Sequence, residues 1–429
     1  MPAYKAISGT HDILPEDAAT WRYIETIVAE TCARYGYQRI ETPVFEDTGI
    51  YARGVGEGTD IVEKEMYTFK DRSDSSLTLK PEGTAGVVRA YIEHGMQTKP
   101  QPVKLYYLRE PIFRYERPQK GRYRQHHQFG CEAIGEADAM VDAEMIALMW
   151  EIYQRIGARD IKIQLNSIGD SVCKPDFIKR LVEYYTPLQD DLCDDCKVRL
   201  VKNPLRLLDC KEPRDQPKIA GAPKTIDALC EPCAQHFATL RSLLDAMELP
   251  YTINPLLVRG LDYYTRTVFE LAPEREGRRQ NALGGGGRYD GLVELLGGRP
   301  TPATGFGAGM ERAVNLILEQ QIALPPEPKL FAYILPLGVE ERKVAMQLAM
   351  QLRAVDKGVQ VGFGERSLKA LMRAANGSGA RWAIIIGAGE LESKTVTIRD
   401  LTASADTPPE EKQWSVSSSE TVQWLLTHV

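Results

Sequence analysis

The feature that most constrains the fold of this chain is a proline-rich segment about three quarters of the way along it. The segment is IALPPEPK, residues 322–329, and it holds three prolines in eight residues. Proline has no backbone N–H and a fixed φ, so such a stretch continues neither a helix nor a central strand and acts as a stiff spacer. We therefore predict a large N-terminal unit at 1–325, a linker at 321–329 and a C-terminal domain at 330–429.

The segments beyond this linker alternate between two patterns. Apolar runs typical of strands occur in KLFAYILPLG, VQVGF, RWAIIIGAG and KTVTIRDL, and the amphipathic stretches VEERKVAMQLAMQLRAVDKG and SLKALMRAANGSG lie between the first three of them. Alternating strands and helices bury their apolar faces against each other in a layered sheet. The C-terminal segment is therefore predicted to be a small α/β domain.

The larger unit mixes helical and strand patterns. Near-helical spacing of Trp21, Ile24 and Val28 predicts an N-terminal helix. VKLYYLREPIFRYE and HHQFGCEAIG predict an antiparallel hairpin with a basic loop, and YQRIETPVFE predicts a strand in which Pro43 suits only an edge or interface position. The glycine-rich runs GGGGRYDGLVELLGG and ATGFGAGMERAVNLILEQQ are interpreted as turns that lead into helices, and residues 171–248 as a cysteine-bearing insertion.

Composition excludes several classes of protein. The chain has 429 residues, a hydrophobic share of 43% and a charged share of 26%, which are ordinary globular values. Its formal net charge is -6, so any contact with nucleic acid has to be local. No run approaches the roughly 18 apolar residues of a membrane-spanning helix, and the N-terminus lacks the pattern of a signal peptide. We expect a cytoplasmic protein with no membrane association.

Arginines beside glycine runs are the strongest chemical signal. No Gly-Lys dipeptide occurs, which excludes a Walker A loop, and the GxGxG at 305–309 lacks the third glycine of a dinucleotide fingerprint. Planar guanidinium groups with paired donors suit a polyphosphate. The candidate arginines for such a site are Arg114, Arg259, Arg288 and Arg312.

Several motifs together resemble one enzyme family. FRYERPQKGRYRQHHQFGCE resembles motif 2 of the class II aminoacyl-tRNA synthetases, GFGAGMER resembles motif 3, and the region around Pro43 resembles motif 1. LVRGLDYYTRTVFE and ALGGGGRYDGLV are similar to the two signature motifs of histidyl-tRNA synthetases, and PEGTAGVVRAY to their amino-acid-binding loop. From about Thr10 to Leu401 the chain is thus identified as a member of the bacterial-type histidyl-tRNA synthetase family.

The resemblance implies a fold and a reaction. It implies an α+β catalytic domain with the antiparallel sheet of the class II synthetase fold, a C-terminal α/β anticodon-binding domain, and a homodimer built around Ile40 to Phe45. The reaction would activate L-histidine with ATP and Mg²⁺ to histidyl-adenylate, release pyrophosphate and transfer histidine to the 3′ end of tRNA(His). The alternative is a non-catalytic, histidine-sensing regulatory subunit of ATP phosphoribosyltransferase. The LVRGLDYY signature and the C-terminal domain favour the ligase.

The resemblance also implies roles for single residues. Glu82, Arg114 and Arg259 would be catalytic, with the two arginines on either side of the α-phosphate. The implied histidine-binding residues are Glu82, Gly83, Thr84, Gln128, Glu132, Arg259, Tyr263, Tyr264 and Tyr289. The implied ATP-binding residues are Arg114, His126, Phe129 and Arg312. Where many relatives have RQFHQ this chain has RQHHQF, so either His126 stacks on adenine or Phe129 or a neighbour fills that space.

Basic residues in two places are candidates for tRNA contacts. Arg117, Gln119 and Arg122 lie on the motif 2 loop, where the resemblance implies contact with the acceptor stem. Arg117 and Gln119 have donors that suit a phosphate or a base edge. In the C-terminal domain, Lys369, Arg373 and Arg381 would contact the anticodon end.

The insertion contains two CxxC pairs. These pairs are Cys193 with Cys196 and Cys230 with Cys233; 33 residues separate them, and Cys210 lies between. Four thiolates at this kind of spacing suit a tetrahedral structural zinc ion. The alternative is free thiols that only pack in the interior.

Overall fold

The computed structural model describes residues 4–56, 59, 61–115, 117, 122–274, 282–327, 329–404 and 407–428. It divides into two compact units, Met1–Leu324 and Pro325–Val429. Within the described ranges, none of the helices combines the length and apolar character needed to span a bilayer.

The larger unit contains helices and strands in mixed order. Its described α-helices are α1 (Ala18–Arg34), α2 (Thr48–Val55), α3 (Thr84–Glu93), α4 (Ala139–Ile156), α5 (Lys174–Tyr185), α6 (Asp194–Lys202), α7 (Gln216–Ala220), α8 (Glu231–Ala246), α9 (Leu292–Leu295) and α10 (Met310–Gln320). Its described strands are β1 (Gln38–Arg39), β2 (Phe45–Asp47), β3 (Thr68–Lys70), β4 (Ser76–Leu79), β5 (Val103–Phe113), β6 (Gln125–Ile134), β7 (Ile161–Ser167), β8 (Tyr251–Ile253), β9 (Thr265–Pro273), β10 (Gly284–Arg288) and β11 (Ala303–Gly309).

The main sheet has eight strands in the order β1-β5-β6-β11-β10-β9-β7-β8. The six inner strands pair antiparallel, and only the edge pairs β1–β5 and β7–β8 are parallel. The predicted hairpin is β5 with β6, and the predicted antiparallel sheet is confirmed.

One face of this sheet is covered by helices. Trp21, Ile24 and Val28 of α1 are buried with Met145 and Ile152 of α4 in one continuous apolar core. The α4 helix begins where the side chain of Asp138 accepts from the Met140 N–H at 2.8 Å, and it ends at Gly157 with φ 92°. Because these helices cover one face, the polar side chains of β6 that alternate with its core residues lie on the other face.

The glycine-rich starts of the two runs are strands, so their interpretation as turns was wrong, whereas the helices predicted to follow them are present as α9 and α10. Gly284 to Gly287 lie in β10, which pairs with β9 on one side and β11 on the other. A β-carbon on Gly286 would lie 1.9 Å from the carbonyl oxygen of Gly305. The strands therefore need glycine for their close approach, and a run without side chains shows no alternating pattern from which a strand could be predicted.

The segment around Pro43 also differs from its prediction as one strand. It forms two short strands in different sheets: β1 at the edge of the main sheet, and β2 in a three-stranded sheet of order β2-β4-β3. Pro43 lies in the irregular stretch between them. Proline lacks the N–H that would continue either ladder.

The predicted insertion is helical in the structure. Helices α5, α6, α7 and α8 lie between β7 and β8, joined by 3₁₀ turns. Phe237, Leu240 and Leu244 of α8 belong to the same apolar core as α1 and α4. The insertion is thus anchored to the helical face of the sheet by its last helix.

The C-terminal unit is an α/β domain, as predicted. Its strands are β12 (Ala332–Pro336), β13 (Val359–Val361), β14 (Trp382–Ile386), β15 (Thr395–Asp400) and β16 (Gln413–Ser417), in the order β13-β12-β14-β15-β16. Its helices are α11 (Val339–Arg353), α12 (Leu368–Gly377), α13 (Ala388–Ser393), α14 (Pro409–Lys412) and α15 (Thr421–Thr427). Trp382, Trp414 and Trp424 pack together with ring centroids 5.3 to 6.0 Å apart. This packing attaches β16 and α15 to the sheet. Neither element was part of the prediction.

Candidate active site

A cavity lies over the polar face of the main sheet. It has a volume of about 280 Å³ and is lined by Arg114 and the side chains of His126 and Gln128 from β6, with Arg259 and Arg312. The three arginines also line a larger cleft of about 1210 Å³ that reaches the helical insertion. Of the candidate polyphosphate arginines, all except Arg288 line the 280 Å³ cavity, which we call the arginine cavity.

A buried carboxylate stands at the start of α3. Glu82 accepts from the backbone N–H groups of Thr84 and Ala85, both at 2.8 Å, and from the hydroxyl of Tyr263 at 3.4 Å. Burial raises the pKa of Glu82, although the two backbone donors lower it. A carboxylate at a helix N-terminus is held in one orientation by those donors and by the helix dipole.

A second buried carboxyl group is Glu132, on β6. It accepts a hydrogen bond of 2.7 Å from the hydroxyl of Thr84 and another from the hydroxyl of Tyr289. Burial raises its pKa to about 8, and the nearby charge of Glu82 acts in the same direction. Glu132 is therefore mostly protonated at neutral pH in the free protein, and a bound group that donates a hydrogen bond would favour its ionised form.

Tyrosines surround these two acids. Tyr263 lies with its ring centroid 4.8 Å from that of Tyr264 and 5.5 Å from that of Tyr289. Tyr107 of β5 is also buried, and burial, with Glu132 and Glu82, raises its pKa well above the usual value. We call the following residues the acid–tyrosine cluster: Glu82, Glu132, Tyr107, Tyr263, Tyr264 and Tyr289.

Glycines make room for this cluster. A β-carbon on Gly305 would lie 1.7 Å from Oε2 of Glu132, and one on Gly130 would lie 2.3 Å from the hydroxyl of Tyr107. At Gly307 a β-carbon would lie 3.4 Å from both that hydroxyl and Oε1 of Gln128. Because Gln128 also lines the arginine cavity, the cavity and the acid–tyrosine cluster border each other.

The arginines are held by specific contacts. Arg259 forms an ion pair with Glu270 at 3.0 Å, and its Nε is buried without a hydrogen-bond partner in the described part of the chain. Nε of Arg114 donates to the carbonyl of Pro81 at 2.8 Å. An Nη of Arg312 donates to the carbonyl of Ala282. Guanidinium groups held in place in this way can stabilise an anion whose negative charge increases during a reaction.

Comparison with known proteins identifies the family. The histidyl-tRNA synthetase family model matches residues 9–174 and 214–313. A histidine–tRNA ligase from Dehalococcoides mccartyi is 51% identical over 398 residues, covering 93% of this chain and 95% of that protein. The chain belongs to the histidyl-tRNA synthetase family. Another family member, the histidine–tRNA ligase of Desulfitobacterium hafniense, is 48% identical over 92% of each chain.

The fold agrees with this family. The structure of apo Staphylococcus aureus histidyl-tRNA synthetase is 38% identical, covers 98% of this chain and 99% of its own, and superposes with a TM-score of 0.80. A model described as an anticodon binding domain matches residues 332–428. The predicted class II catalytic domain with a C-terminal anticodon-binding domain is confirmed, and the regulatory-subunit alternative is not retained.

In this synthetase fold the choice between His126 and Phe129 follows from strand alternation. His126 faces the cavity, where burial, with the charge of Arg114, lowers its pKa to about 3, so its ring is neutral. Phe129 is fully buried on the opposite face, with its ring centroid 6.2 Å from Tyr153 and 6.3 Å from Phe306. The assignment of Phe129 to the ATP site was therefore wrong.

Arg288 also does not line the cavity that the other three candidate arginines share. Its side chain is fully buried and forms ion pairs with Asp142 at 2.8 Å and Asp290 at 3.1 Å. Asp142 further accepts from Thr267 at 2.8 Å and contacts Nε2 of His236 at 2.7 Å. This network links β10 to α4 and α8, so the role of Arg288 is structural and its interpretation as a polyphosphate contact was wrong.

The predicted grouping of four cysteines was wrong as well. Cys193 and Cys196 converge with Cys210 and Asp215, whereas Cys230 and Cys233 converge with Asp170 and Cys173. The two CxxC pairs therefore lie in separate clusters. Which distant residues complete a CxxC pair depends on the fold and cannot be deduced from spacing.

The candidate tRNA-binding residues are only partly described. Gln119 lies outside the described residues, and Arg117 is exposed. Arg122 is half-buried and lines the 280 Å³ cavity. In the C-terminal domain, Lys369 and Arg373 are exposed on α12, whereas Arg381 donates to the carbonyl of His428 at 2.9 Å.

Sequence reasoning missed Tyr107, the tyrosine of β5 in the acid–tyrosine cluster. Its strand is mostly apolar and gave no sign of which face would be polar. The available signal was Gly130, which pairs with Tyr107 in the hairpin register, because a glycine opposite a large aromatic residue indicates that the ring lies over it.

Proposed function

We propose that this chain is an ATP-dependent histidine–tRNA ligase that forms histidyl-adenylate and transfers histidine to tRNA(His). The observation that carries the proposal is the border between a cavity lined by Arg114, Arg259 and Arg312 and a cluster of buried acids and tyrosines. Guanidinium groups bind a triphosphate, and carboxyl and hydroxyl groups bind the ammonium and imidazole of histidine. Both substrates of the activation step can therefore lie side by side.

Histidine binding is assigned to the cluster and its neighbours. Glu82, whose carboxylate is fixed at the start of α3, accepts from the substrate ammonium together with Gln128, beside Gly83 and Thr84. Glu132 and Tyr264 pair with the two imidazole nitrogens. An apolar amino acid would leave these buried groups unpaired, and discrimination of about ten-thousandfold is reachable in this way without an editing site.

Adenylate formation is assigned to the arginines. The histidine carboxylate attacks the α-phosphate, pyrophosphate leaves, and negative charge grows on the phosphate oxygens between Arg114 and Arg259. Because contacts with Pro81 and Glu270 hold the two guanidinium groups, little reorganisation is needed when that charge appears. Arg312 binds the distal phosphates or adenine, and the neutral ring of His126 stacks on adenine.

Magnesium is proposed to arrive with ATP. In the described part of the chain, the groups of three or more potential metal ligands are the two cysteine clusters, and none of their members lines the 280 Å³ cavity. Mg²⁺ keeps several waters and is commonly bound through substrate phosphates. The residues of the cavity therefore do not form a dedicated magnesium site.

Transfer to tRNA is assigned to the motif 2 loop and the C-terminal domain. Exposed Arg117 would contact the acceptor stem, with Arg122 at the cavity wall. Lys369 and Arg373 of α12 are exposed and would contact the anticodon end. Since these are local basic patches on an acidic chain, binding should depend strongly on salt. The reaction takes place in the cytoplasm, where its tRNA substrate is used.

A homodimer is proposed around Ile40 to Phe45. Val44 and Phe45 of this segment, with Phe69 of the same small sheet, are large apolar side chains that are exposed in the single chain. Contiguous exposed apolar residues mark interaction surfaces. Solution scattering should give the mass of two chains, and a fully active monomer would contradict the dimer.

The proposed function is tested by aminoacylation. Wild-type protein should attach labelled histidine to tRNA(His) when ATP and Mg²⁺ are present. Arg259→Ala should abolish most of this activity, and the control Arg299→Ala, which changes an exposed arginine outside the described cavity lining, should not. Absence of histidine transfer by folded wild-type protein would contradict the proposal.

A further inference from the structure

Two separate clusters of cysteine and aspartate lie in or next to the helical insertion. We define the base cluster as Asp170, Cys173, Cys230 and Cys233, and the lobe cluster as Cys193, Cys196, Cys210 and Asp215. Within each cluster the sulfur and carboxylate oxygen atoms all lie within 4.8 Å of one another. We propose that the insertion binds two zinc ions, one in each cluster, each held by three thiolates and one aspartate.

Each cluster contains a CxxC pair whose first cysteine is the N-cap residue of a helix. Cys193 is the N-cap residue of α6, and its Sγ accepts from the Cys196 N–H at 3.3 Å. Cys230 is the N-cap residue of α8, with Cys233 one turn into the helix. Residues three apart at the start of a helix are neighbours, so the two sulfurs of each pair can bind the same ion.

The base cluster has an oriented carboxylate. Oδ2 of Asp170 accepts from Nε and Nη2 of Arg266, both at 3.3 Å, while Oδ1 lies 3.8 Å from Sγ of Cys173 and 3.9 Å from Sγ of Cys230. A carboxylate that binds a metal is usually oriented by a hydrogen bond to its other oxygen. Here Arg266 holds Oδ2 of Asp170, so Oδ1 faces the two sulfurs.

The lobe cluster contains a buried carboxylate with unused capacity. Oδ2 of Asp215 accepts from the Cys193 N–H and the Cys210 thiol, both at 3.3 Å. Oδ1 is buried without a hydrogen-bond partner in the described part of the chain, and its ion pair with Nζ of Lys218 is long, at 3.8 Å. A carboxylate buried among thiols is costly unless a cation compensates it.

The sulfur separation agrees with zinc and not with a disulfide. Sγ of Cys193 and Sγ of Cys210 lie 3.8 Å apart. A disulfide needs about 2.05 Å, whereas two sulfurs at about 2.3 Å from a tetrahedral zinc lie roughly 3.8 Å apart. Three soft thiolates select zinc over the oxygen-preferring Mg²⁺ and Ca²⁺.

The two sites would stabilise different parts of the insertion. The base cluster joins Asp170 and Cys173, at the entrance to the insertion, to Cys230 and Cys233 at the start of α8. The next residue, Lys174, donates to the carbonyl of Tyr264 at 3.2 Å, so this site also supports the segment that carries the tyrosines. The lobe cluster joins α6 to the loop before α7. No cluster member lines the 280 Å³ cavity, although Cys193 and Cys210 line the 1210 Å³ cleft. A zinc ion held by four protein ligands has no open position for a substrate, so both zinc ions are structural.

The test is the zinc content of full-length protein purified without chelator, measured by inductively coupled plasma mass spectrometry. We expect two zinc ions per chain in wild type, one in Cys230→Ser, one in Cys193→Ser, and two in the control Cys32→Ala, which changes a buried cysteine outside both clusters. One zinc ion per wild-type chain, or none, would overturn the proposal.

X-ray absorption of the wild-type zinc protein provides a measurement that does not depend on the folding of variants. Two sites of the proposed kind give an average of three sulfur ligands at about 2.3 Å and one oxygen ligand at about 2.0 to 2.2 Å. Four sulfur ligands per zinc would indicate a single four-cysteine site and would overturn the assignment of both aspartates.

Discussion

At the residue scale, burial changes the pKa of Glu132 and with it the charge of this side chain. Its carboxyl group lies beside the glycine strands, and its hydroxyl donors in the described part of the chain are Thr84 and Tyr289. Burial raises its pKa to about 8. Between a pH of about 4.5 and a pH of about 8 this carboxyl is ionised in the unfolded chain but not in the folded one. The free energy of unfolding therefore falls as the pH rises through that window, by up to about 1.4 kcal/mol per pH unit.

Glu132→Gln should remove this pH dependence, because an amide does not titrate. We expect the variant without histidine to become progressively more stable than wild type as the pH is raised from 5 to 8, and to bind histidine more weakly. Denaturation by urea at several pH values checks the first expectation. A stability difference that stays constant across the range would show that Glu132 ionises normally in the folded protein.

In the proposed mechanism, the activation step depends most on Arg259 and Arg114. Arg259→Ala or Arg114→Ala should lower the rate of adenylate formation by roughly a hundredfold or more, because a fixed donor to developing charge is lost. Affinity for ATP should fall much less. Single-turnover kinetics separate the two quantities, with Arg299→Ala as the control. A variant that lost only affinity would identify its arginine as a ground-state contact.

At the element scale, the glycine strands β10 and β11 leave space for the polar side chains that lie beside the arginine cavity. A β-carbon on Gly285 would lie 2.6 Å from Nη1 of Arg259 and 2.7 Å from the carbonyl of Phe269. Gly285→Ala should therefore displace the guanidinium and reduce activation severalfold or more. Gly291→Ala, at a glycine with φ -90° and open space around it, is the matched control. Equal activity of the two variants would contradict this role of β10.

The elements that could be predicted from sequence are those with a periodic apolar face. Helix α1 and the hairpin β5–β6 show such a face and were predicted correctly. The strand β10 is almost entirely glycine, and β11 has glycine at 305, 307 and 309, so neither shows an alternation of apolar and polar side chains. Phe129 was assigned to the wrong face because strand alternation alone does not tell which face is the core; the core helices α1 and α4 decide that. The cysteine clusters depend on contacts between distant residues.

At the scale of the whole molecule, activation and transfer should be separable. Arg117 is exposed, whereas Arg114 and Arg259 line the cavity. Arg117→Ala should leave pyrophosphate exchange nearly intact and slow aminoacylation of tRNA severalfold or more. The deficit relative to wild type should be largest at low salt, because a variant with one phosphate contact fewer depends less on salt. Equal loss in both reactions would show that the motif 2 loop shapes the ATP site instead.

The most direct test of the account is the exchange of labelled pyrophosphate into ATP by wild-type protein with each amino acid in turn and no tRNA. Because the arginine cavity borders the acid–tyrosine cluster, exchange should require an amino acid whose side chain pairs with Glu132 and Tyr264. We expect rapid exchange with histidine and only background exchange with every other amino acid. Exchange that proceeds without histidine, or no exchange with it, would contradict the assignment of the site.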